Sequence, residues 1–512
     1  MPIMPKMNFS EKVKKFSNFL DPYYLWLILI LASALRLYQI ALRDFWYDEA
    51  FTGVAVKEKF SDMIQMIIND IHPPLYYICL KIFSAFFGYS VFGIRFFSAI
   101  LGVFSVWAVY LFAKELYDKR AGLFAAFVVA ISPFAIQYSQ EARMYSMLSF
   151  FLIMAAYFFL KALKTNQAKN YILWGVFLGC ACLTHYMGIV FSVTFYLAYL
   201  VWNIFNEITY GHKFNFKSIN ILIPTTGILF GYASAFLVFS FWIEKFYRHI
   251  TDLGDNLKWV RPANLGDIFW NIQMFLFGTP LGEMSSGMPN PNFFHYIQQT
   301  SVLSGLTVFL TGIIVFLFAK DRKNTAILLV FSFGFFGIVY ALSLYGKHYF
   351  VSRYLVPGAY FIFTLLGVWL SQIRWRYVFA TLALYSVLLG FAAHLGFSTG
   401  WNVLKENSTK YKKNNFYILT SFDYVIARYY LGEERLYLYN VDWPAYDPSY
   451  WAAIGPDLRR VESLNVIASD PNAVIISNTP LTNKRSIDQS FSPDRLELVD
   501  SYKNILVYKI KK

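Results

Sequence analysis

The chain has 512 residues, of which 57% are hydrophobic and only 15% are charged, and its mean hydropathy is +0.43. This composition excludes a soluble protein with one core and indicates a polytopic membrane protein. The net charge of +14 does not indicate nucleic-acid binding, because the Lys and Arg residues lie in small groups between apolar segments and form no basic block. The three cysteines lie in apolar segments without metal-site spacing and are predicted to be core residues: Cys79, Cys180 and Cys182.

Apolar segments long enough to cross a membrane recur along the chain. A span needs about 20 apolar residues, and on this criterion the sequence predicts about 11 transmembrane helices. The predicted spans are residues 22–42, 91–116, 121–138, 146–163, 171–184, 187–205, 219–242, 294–318, 325–344, 354–370 and 377–395. No small-residue cleavage site follows the first span, so we expect it to be a retained anchor and not a removed signal peptide.

The distribution of basic residues predicts the orientation of these spans. With the amino terminus inside, every inner loop is basic. The predicted outer segments are residues 43–90, 139–145, 244–292, 345–353 and the whole tail. The apolar segment Pro73–Gly88 has only sixteen residues, and counting it as a span would place the basic loops outside. We therefore predict an interfacial or re-entrant helix there, with the prolines in its first turn.

The composition changes at about residue 398, where charged residues become common. Four short runs are typical of strands, and a helical pattern covers Asp423–Leu431; the runs start at Phe416, Arg435, Ala473 and Ile505. The prediction is a membrane domain over residues 1–397, with a first external loop at 43–90, followed by a soluble α/β domain over 398–512 on the outer face.

Polar side chains that could carry chemistry concentrate in the predicted outer loops. Asp44, Asp48 and Glu49 follow the first span, and Asp70 and His72 lie in the same loop. The other outer candidates are Glu141, Arg143, Tyr145, His185, Lys347, His348, Arg353 and Tyr354. Carboxylates with several cations and tyrosines suit a reaction that deprotonates a hydroxyl or amine and stabilises an anionic leaving group such as phosphate.

Six short motifs resemble those of one enzyme family. They are Asp48-Glu49, His72-Pro-Pro-Leu-Tyr-Tyr77, Arg95-Phe-Phe-Ser98, Ser132-Pro133 with Gln140-Glu-Ala-Arg-Met-Tyr145, Thr184-His-Tyr-Met-Gly188, and Ser352-Arg-Tyr-Leu-Val-Pro357. Together, over about residues 22–395, they resemble GT-C glycosyltransferases of the protein O-mannosyltransferase and aminoarabinose transferase type. The resemblance implies the GT-C fold and transfer of one sugar from a polyprenyl-phosphate carrier to a lipid, glycan or protein acceptor on the extracytoplasmic face of a bacterial or archaeal cytoplasmic membrane.

The resemblance also implies roles for individual residues. Asp48 matches the base that takes the acceptor's proton in an inverting displacement, which needs one carboxylate because the leaving phosphate needs no acid. Glu49 points elsewhere on its helix, so we expect acceptor binding or loop anchoring. His72 stands where the aminoarabinose transferases have a phosphate-binding lysine, and Arg143 and Arg353 are expected phosphate ligands. Phe51 replaces an Arg of those transferases, which leaves the sugar and the acceptor open.

The sequence leaves simpler interpretations open for most of these residues. Asp44 could form a polar collar with Arg43, His72 could cap a helix, and Glu141 with Arg143 could be a surface ion pair. His185 could belong to a packed polar turn, while Lys347 and His348 could be interface residues. Asp48, Glu49 and Asp70 could hold a divalent cation, although the resemblance to protein O-mannosyltransferases implies none. Two other functions stay open: a transporter or flippase for a lipid-linked anion, and a scaffold that presents the carboxy-terminal domain.

Overall fold

The computed structural model describes residues 23–209, 223–251, 263–277, 321–344, 349–372, 400–439, 459–461, 464–478 and 496–511. Helices dominate as far as residue 372, and a mixed sheet with short helices follows from residue 400. The first seven helices are α1 (Tyr24–Leu37), α2 (Tyr47–Lys57), α3 (Phe60–Asn69), α4 (Leu75–Phe87), α5 (Val91–Leu116), α6 (Lys119–Ile131) and α7 (Pro133–Ser139). The next nine are α8 (Tyr145–Thr165), α9 (Ala168–Thr184), α10 (Met187–Thr209), α11 (Thr226–Phe239), α12 (Ile243–Thr251), α13 (Leu265–Phe277), α14 (Arg322–Leu329), α15 (Phe335–Leu344) and α16 (Val356–Gln372).

Several of these helices are able to span a membrane. Within the described ranges, five helical segments are long and apolar enough, and the bent pair α6–α7 would make a sixth. Four apolar helices are shorter, namely α1, α4, α9 and α16. The chain is thus a multi-pass membrane protein. The predicted spans 294–318 and 377–395 lie outside the described residues.

The predicted span 121–138 is not one straight helix. α6 and α7 meet at Ser132 with a bend of 65°. Pro133 lacks a backbone donor and disfavours helical geometry at the residue before it. Ser132 is accordingly extended, and its hydroxyl accepts a hydrogen bond from the Ala135 N–H at the start of α7. The hydropathy count identified this apolar segment but ignored the proline, so it did not predict the bend.

Two further boundaries differ from the predictions. α1 has 14 residues and ends before Tyr38, so the first span is shorter than predicted. The span predicted to end at Trp242 continues through a 3-10 turn into α12 and ends at Thr251.

Cys182 is buried as predicted, whereas Cys79 and Cys180 are half-buried. The expected short helix after the two prolines is present as α4, which has 13 residues and buries one face.

The bundle is held together by close helix packing and by aromatic side chains. α5 packs against α6 and α8, α9 packs against α8 and α11, and α16 packs against α6. Near the middle of the bundle, the rings of Phe191, Phe331 and Phe361 stack with centroid distances of 5.2 to 6.0 Å. This packing fixes the helix ends from which the polar loops emerge.

The carboxy-terminal region, which we call the carboxy-terminal domain, contains a sheet and helices as predicted, while its extent over residues 398–512 stays a prediction. It contains α17 (Trp401–Glu406), β1 (Asn415–Ile418), α18 (Ser421–Leu431), β2 (Leu436–Tyr439), β3 (Arg460–Val461), α19 (Leu464–Ser469), β4 (Ala473–Ser477), β5 (Leu496–Tyr502) and β6 (Ile505–Ile510). The sheet order is β3-β2-β1-β4-β6-β5. The first four strands are parallel, with Phe416 opposite Leu436 and Val474, and β6 is antiparallel to β4 and β5. Hydrophobic residues of β1, β2 and β4 are buried on both faces, as expected for parallel strands.

Candidate active site

The first turn of α2 carries both Asp48 and Glu49. Trp46 precedes the helix in an extended conformation, so the helix begins at Tyr47. Successive residues on a helix point about 100° apart, and the two carboxylates therefore face different neighbours. Asp48 is partly exposed, with 21% of its side-chain surface accessible, whereas Glu49 is buried.

Glu49 forms a buried ion pair with Arg95, near the start of α5. The Arg95 Nε and Nη2 atoms donate to the two carboxylate oxygens over 2.7 and 2.6 Å. Arg95 also donates to the carbonyls of Ile40, Arg43 and Asp44, and the Ala142 N–H donates to Glu49. The pair fixes the start of α2 to α5 and to the loop after α7, so its geometry corresponds to loop anchoring.

Asp48 lies against two arginines from distant parts of the chain. The Arg353 Nη1 atom donates to Asp48 Oδ2 over 3.1 Å, and Arg143 Nη2 is 4.0 Å from the same oxygen. Arg353 comes from the 3-10 turn Ser352–Tyr354 before α16, and Arg143 comes from the loop between α7 and α8. The structure therefore brings together the predicted base and the two predicted phosphate ligands.

Arg143 is buried and is oriented by a set of acceptors. Its Nη1 atom donates to the Asp48 carbonyl, to Thr52 Oγ1 and to the Tyr77 hydroxyl, each over 3.2 Å. Its Nη2 atom donates to His72 Nε2 over 3.2 Å. Thr52 and Tyr77 were not among the predicted site residues; the Tyr-Tyr pair that follows the two prolines was the available signal for Tyr77.

His72 takes part in this network and does not cap a helix. α4 is preceded by Pro74, and no side chain caps it. Because Arg143 can only donate, His72 Nε2 accepts, and His72 Nδ1 donates to Asp70 Oδ2 over 2.8 Å. Burial raises the pKa of Asp70, but His72 and Arg143 outweigh burial and hold this pKa below its ordinary value. The alternative of a capping His72 was therefore wrong.

Glu141 is buried, and neither of its carboxylate oxygens has a hydrogen-bond partner within the described residues. Arg143 is buried as well, so the alternative of a surface ion pair was wrong. Burial and the nearby Glu49 raise the pKa of Glu141 to about 8, against an opposing effect of Arg43, Arg353 and Arg95. The raised pKa favours the neutral carboxylic acid form of Glu141 at neutral pH.

His185 lies next to His72, and two further predicted residues, Tyr145 and Tyr354, lie beside His185. The centroid of the His185 ring lies 5.8 Å from that of His72, 5.1 Å from that of Tyr354 and 6.2 Å from that of Tyr145. The Met187 N–H donates to His185 Nδ1, which closes the packed polar turn that the sequence had left as an alternative. Burial, together with His72 and Arg143, lowers the pKa of His185 well below its ordinary value. The predicted Lys347 and His348 lie outside the described residues.

Asp44 is buried and contacts the carboxy-terminal domain. Its carboxylate accepts hydrogen bonds from the backbone N–H groups of Gly400, Trp401 and Asn402, at the start of α17. A carboxylate at a helix amino terminus satisfies donors that would otherwise lack partners, so Asp44 has a structural role beyond the polar collar that the sequence suggested.

The carboxylates do not form a joint metal site in the part of the chain that is described. There, no group of three or more His, Cys, Asp or Glu side chains is placed to hold a metal ion. Glu49 is bound by Arg95, and Asp70 is bound by His72. The three carboxylates considered for a cation therefore do not fit one shared ion.

Comparisons with known proteins agree with this architecture. The family described as dolichyl-phosphate-mannose-protein mannosyltransferase matches residues 71–243. YkcB of Bacillus subtilis strain 168, a proposed mannosyltransferase, is 29% identical over 133 residues, which cover 24% of this chain and 18% of YkcB.

Two crystal structures of ArnT from Cupriavidus metallidurans match nearly the whole chain. The apo structure has a TM-score of 0.62 at 11% identity and covers 95% of this chain and 98% of ArnT. The structure with bound undecaprenyl phosphate has a TM-score of 0.59 at 12% identity and covers 95% and 97%. The fold is therefore that of the GT-C proteins, with a sheet-containing carboxy-terminal region, and the predicted resemblance is confirmed.

Proposed function

We propose, from its GT-C fold and its resemblance to glycosyltransferases of the protein O-mannosyltransferase and aminoarabinose transferase type, that this chain transfers one sugar from a polyprenyl-phosphate carrier to an acceptor. The acceptor is a lipid, a glycan or a protein, and transfer takes place on the extracytoplasmic face of a cytoplasmic membrane. One observation carries the proposal: Asp48, a partly exposed carboxylate, lies beside Arg143 and Arg353 at one end of the helical bundle.

A phosphorylated lipid fits the charges of this site. One guanidinium group can donate to two oxygens of the same phosphate. The Arg143 Nε atom is a buried donor without a hydrogen-bond partner in the described structure, so it is available for such a contact. His72 accepts a hydrogen bond from Arg143 and thereby orients this guanidinium group, and it would donate to the phosphate itself only with its Nε2 atom protonated. The ArnT match was solved with undecaprenyl phosphate, a carrier of this class. We assign the carrier phosphate to Arg143 and Arg353, and to His72 in its protonated form.

The proposed reaction is a single displacement. Asp48 accepts the proton of the acceptor hydroxyl or amine while the acceptor atom bonds to the anomeric carbon of the sugar. The bond from that carbon to the phosphate oxygen breaks, and the electron pair stays on the phosphate, where Arg143 and Arg353 stabilise it. Attack opposite to the leaving group inverts the anomeric centre.

The remaining predicted residues are assigned by their position. Glu49 anchors the start of α2 through Arg95. Glu141, Tyr145, His185 and Tyr354 are proposed to contact the sugar or the acceptor, and Lys347 and His348 are kept as substrate-binding candidates on sequence grounds. The guanidinium groups neutralise the phosphate in this scheme. Chelation tests the alternative of a divalent cation. A metal-dependent enzyme would lose activity when EDTA is added to the purified protein and regain it with added metal.

The first experiment replaces the base. Asp48→Asn keeps the size of the side chain but removes its basicity, so transfer from a polyprenyl-phosphate sugar in membranes should fall by about 100-fold or more. Asp62→Asn is the matched control, because Asp62 lies in the same loop and bonds with the neighbouring Ser61.

Near wild-type transfer by Asp48→Asn would remove Asp48 from the mechanism. If that variant also kept its biological function while deletion of the carboxy-terminal domain abolished it, the scaffold alternative would be favoured. Movement of the intact carrier across the membrane without sugar transfer would favour the flippase.

A further inference from the structure

The helix that carries Asp48 is enclosed on two sides. Every residue from Glu49 to Val56 is buried. One side of α2 presents Asp48 and Thr52 to Arg143 and Arg353. The membrane helices alone do not account for the burial of α2, because its other side packs against α18 of the carboxy-terminal domain.

Tyr429 of α18 is the centre of this second contact. Its ring lies 4.6 Å from the Phe45 ring, and Lys57 Nζ is 3.8 Å from its ring centroid. Lys57 also donates to the Tyr429 carbonyl, and the Tyr429 hydroxyl donates to the Tyr89 carbonyl over 2.9 Å. The ring is therefore held at both ends and cannot move aside freely.

Gly53 allows the two helices to approach this closely. A Cβ atom at this position would lie 2.7 Å from the Tyr429 Cε2 atom and 3.1 Å from the Phe45 ring. Glycine weakens the interior of a helix relative to alanine, so its presence here has a reason in packing. Gly53 and Lys57 are four residues apart on one side of α2, and they meet Tyr429 together with Phe45, which lies just before the helix.

Both ends of α2 are tied to the same domain. Before the helix, Asp44 accepts three backbone N–H bonds at the start of α17, and the Phe45 N–H donates to the Tyr430 hydroxyl over 2.9 Å. After the helix, Glu58 pairs with Arg428 over 3.0 Å. The contacts thus run along the whole length of α2, from before its first turn to beyond its last.

We propose that the carboxy-terminal domain positions Asp48 by clamping α2 against the membrane bundle, with Asp44, Gly53 and Tyr429 as positioning residues. The domain is then part of the catalytic architecture and not an attached binding module. Its effect on transfer rests on the proposed function, whereas the clamp itself can be tested without any substrate.

The substrate-free test is hydrogen exchange on the full chain. Tyr429→Ala should speed exchange of the backbone amides in α2 by about 10-fold or more, because the helix loses its outer packing, while α8 stays unchanged. Tyr437→Ala is the matched control, because Tyr437 stacks on Tyr417 within the sheet of the same domain. Unchanged exchange in α2, or an equal increase in the control, would overturn the proposal.

The second test adds a methyl group at Gly53, which would clash with Tyr429, and then removes the clash by shortening Tyr429. Gly53→Ala should lower kcat for transfer from polyprenyl-phosphate mannose by about 10-fold or more, since small misplacements of a reacting group are costly, with the donor KM within about threefold. The double variant Gly53→Ala/Tyr429→Ala should regain most of the loss, because the added methyl group then has space. Additive losses, or a rise in KM with unchanged kcat, would contradict the clamp.

A milder variant is measured in case Gly53→Ala does not fold. Tyr429→Phe removes only the hydroxyl that bonds to Tyr89, and it should raise exchange in α2 by a smaller factor than Tyr429→Ala. No rise at all would count against the clamp. If the wild-type chain transfers no sugar, the proposed function fails, and the exchange measurements still decide whether the domain holds α2.

Discussion

Glu141 stands out among the single residues because its carboxyl group is buried without a hydrogen-bond partner in the described structure. Burial and Glu49 hold its pKa at about 8, whereas an exposed glutamate in an unfolded chain has a pKa near its ordinary value of 4.5. Between these two values the folded chain keeps a proton that the unfolded chain releases. The free energy of unfolding therefore falls as the pH rises from about 4.5 to 8.

Replacing Glu141 should remove this pH dependence. Glu141→Gln is neutral at every pH, so its free energy of unfolding does not contain this pH-dependent contribution. The free energy of unfolding of the variant minus that of the wild type should therefore be larger at pH 8 than at pH 5, by on the order of a few kcal/mol. Thermal unfolding of both proteins in detergent at the two pH values measures the difference. A stability difference that is the same at pH 5 and pH 8 would show that Glu141 does not hold the extra proton.

The directions of some side chains in the site could be predicted from the sequence, but their partners could not. The different directions of Asp48 and Glu49 follow from helix geometry and could be stated from the sequence alone. The partner of Glu49 could not, because Arg95 is separated from it by 46 positions and an ion pair depends on how helices pack. Its one signal was an arginine at the start of an otherwise apolar helix, where a charge needs a partner.

At the scale of elements, the break between α6 and α7 depends on an arginine of α1. Pro133 has no N–H, so the Val129 carbonyl, four residues earlier, lacks its usual helical donor. Arg36 is fully buried and donates to the carbonyls of Val129 and Ala130 over 3.2 and 3.0 Å. Its Nε atom donates to Ser139 at the end of α7. One guanidinium group thus satisfies the acceptors that the bend exposes.

Arg36→Met should destabilise the chain, because it leaves two buried carbonyls without donors. An unsatisfied buried polar group costs roughly 1–3 kcal/mol, so the loss should be about 2–6 kcal/mol. The thermal unfolding midpoint of the purified protein reports this change. Lys164→Met serves as the control, since Lys164 is about one-third exposed where it pairs with Glu115, and there the midpoint should shift little. Equal stability of Arg36→Met and wild type would contradict the role of Arg36.

Strong local patterns made some elements predictable and left others undetected. β1, β2, β4, β6 and the helix at 423–431 were predicted because apolar residues fill their buried positions. β5 was missed because it lies at the sheet edge and most of its residues are exposed or half-exposed, including Glu497 and Asp500. β3 has two residues, too few to produce any pattern.

For the whole molecule, the structure brings the predicted outer segments to one end of the bundle. The segment 43–90, the α7–α8 loop and the turn before α16 meet at Asp48, and the carboxy-terminal domain contacts the first of these three segments. The contacts of Asp48 with Arg353 and of Asp44 with Gly400 join residues more than 300 positions apart, so the sequence could suggest them only through shared topology and family resemblance.

This arrangement predicts one pattern of chemical labelling. In a chain without its native cysteines, Asp62→Cys and Lys412→Cys should react with a membrane-impermeant thiol reagent added outside intact cells. Lys164→Cys should react only after the membrane is opened, because Lys164 belongs to a predicted inner loop. Labelling of residues 62 and 412 from opposite sides would contradict the shared end of the bundle.

The contact between α2 and α18 also limits how related enzymes can be recombined. A chimera that exchanges only the carboxy-terminal domain would place a foreign surface against Phe45, Gly53 and Lys57, and the graft would fit only by chance. Transplanting residues 44–58 together with that domain would keep both halves of the contact. The natural unit of exchange in this chain is therefore discontinuous: a short amino-terminal segment travels with a domain that begins more than 300 residues later.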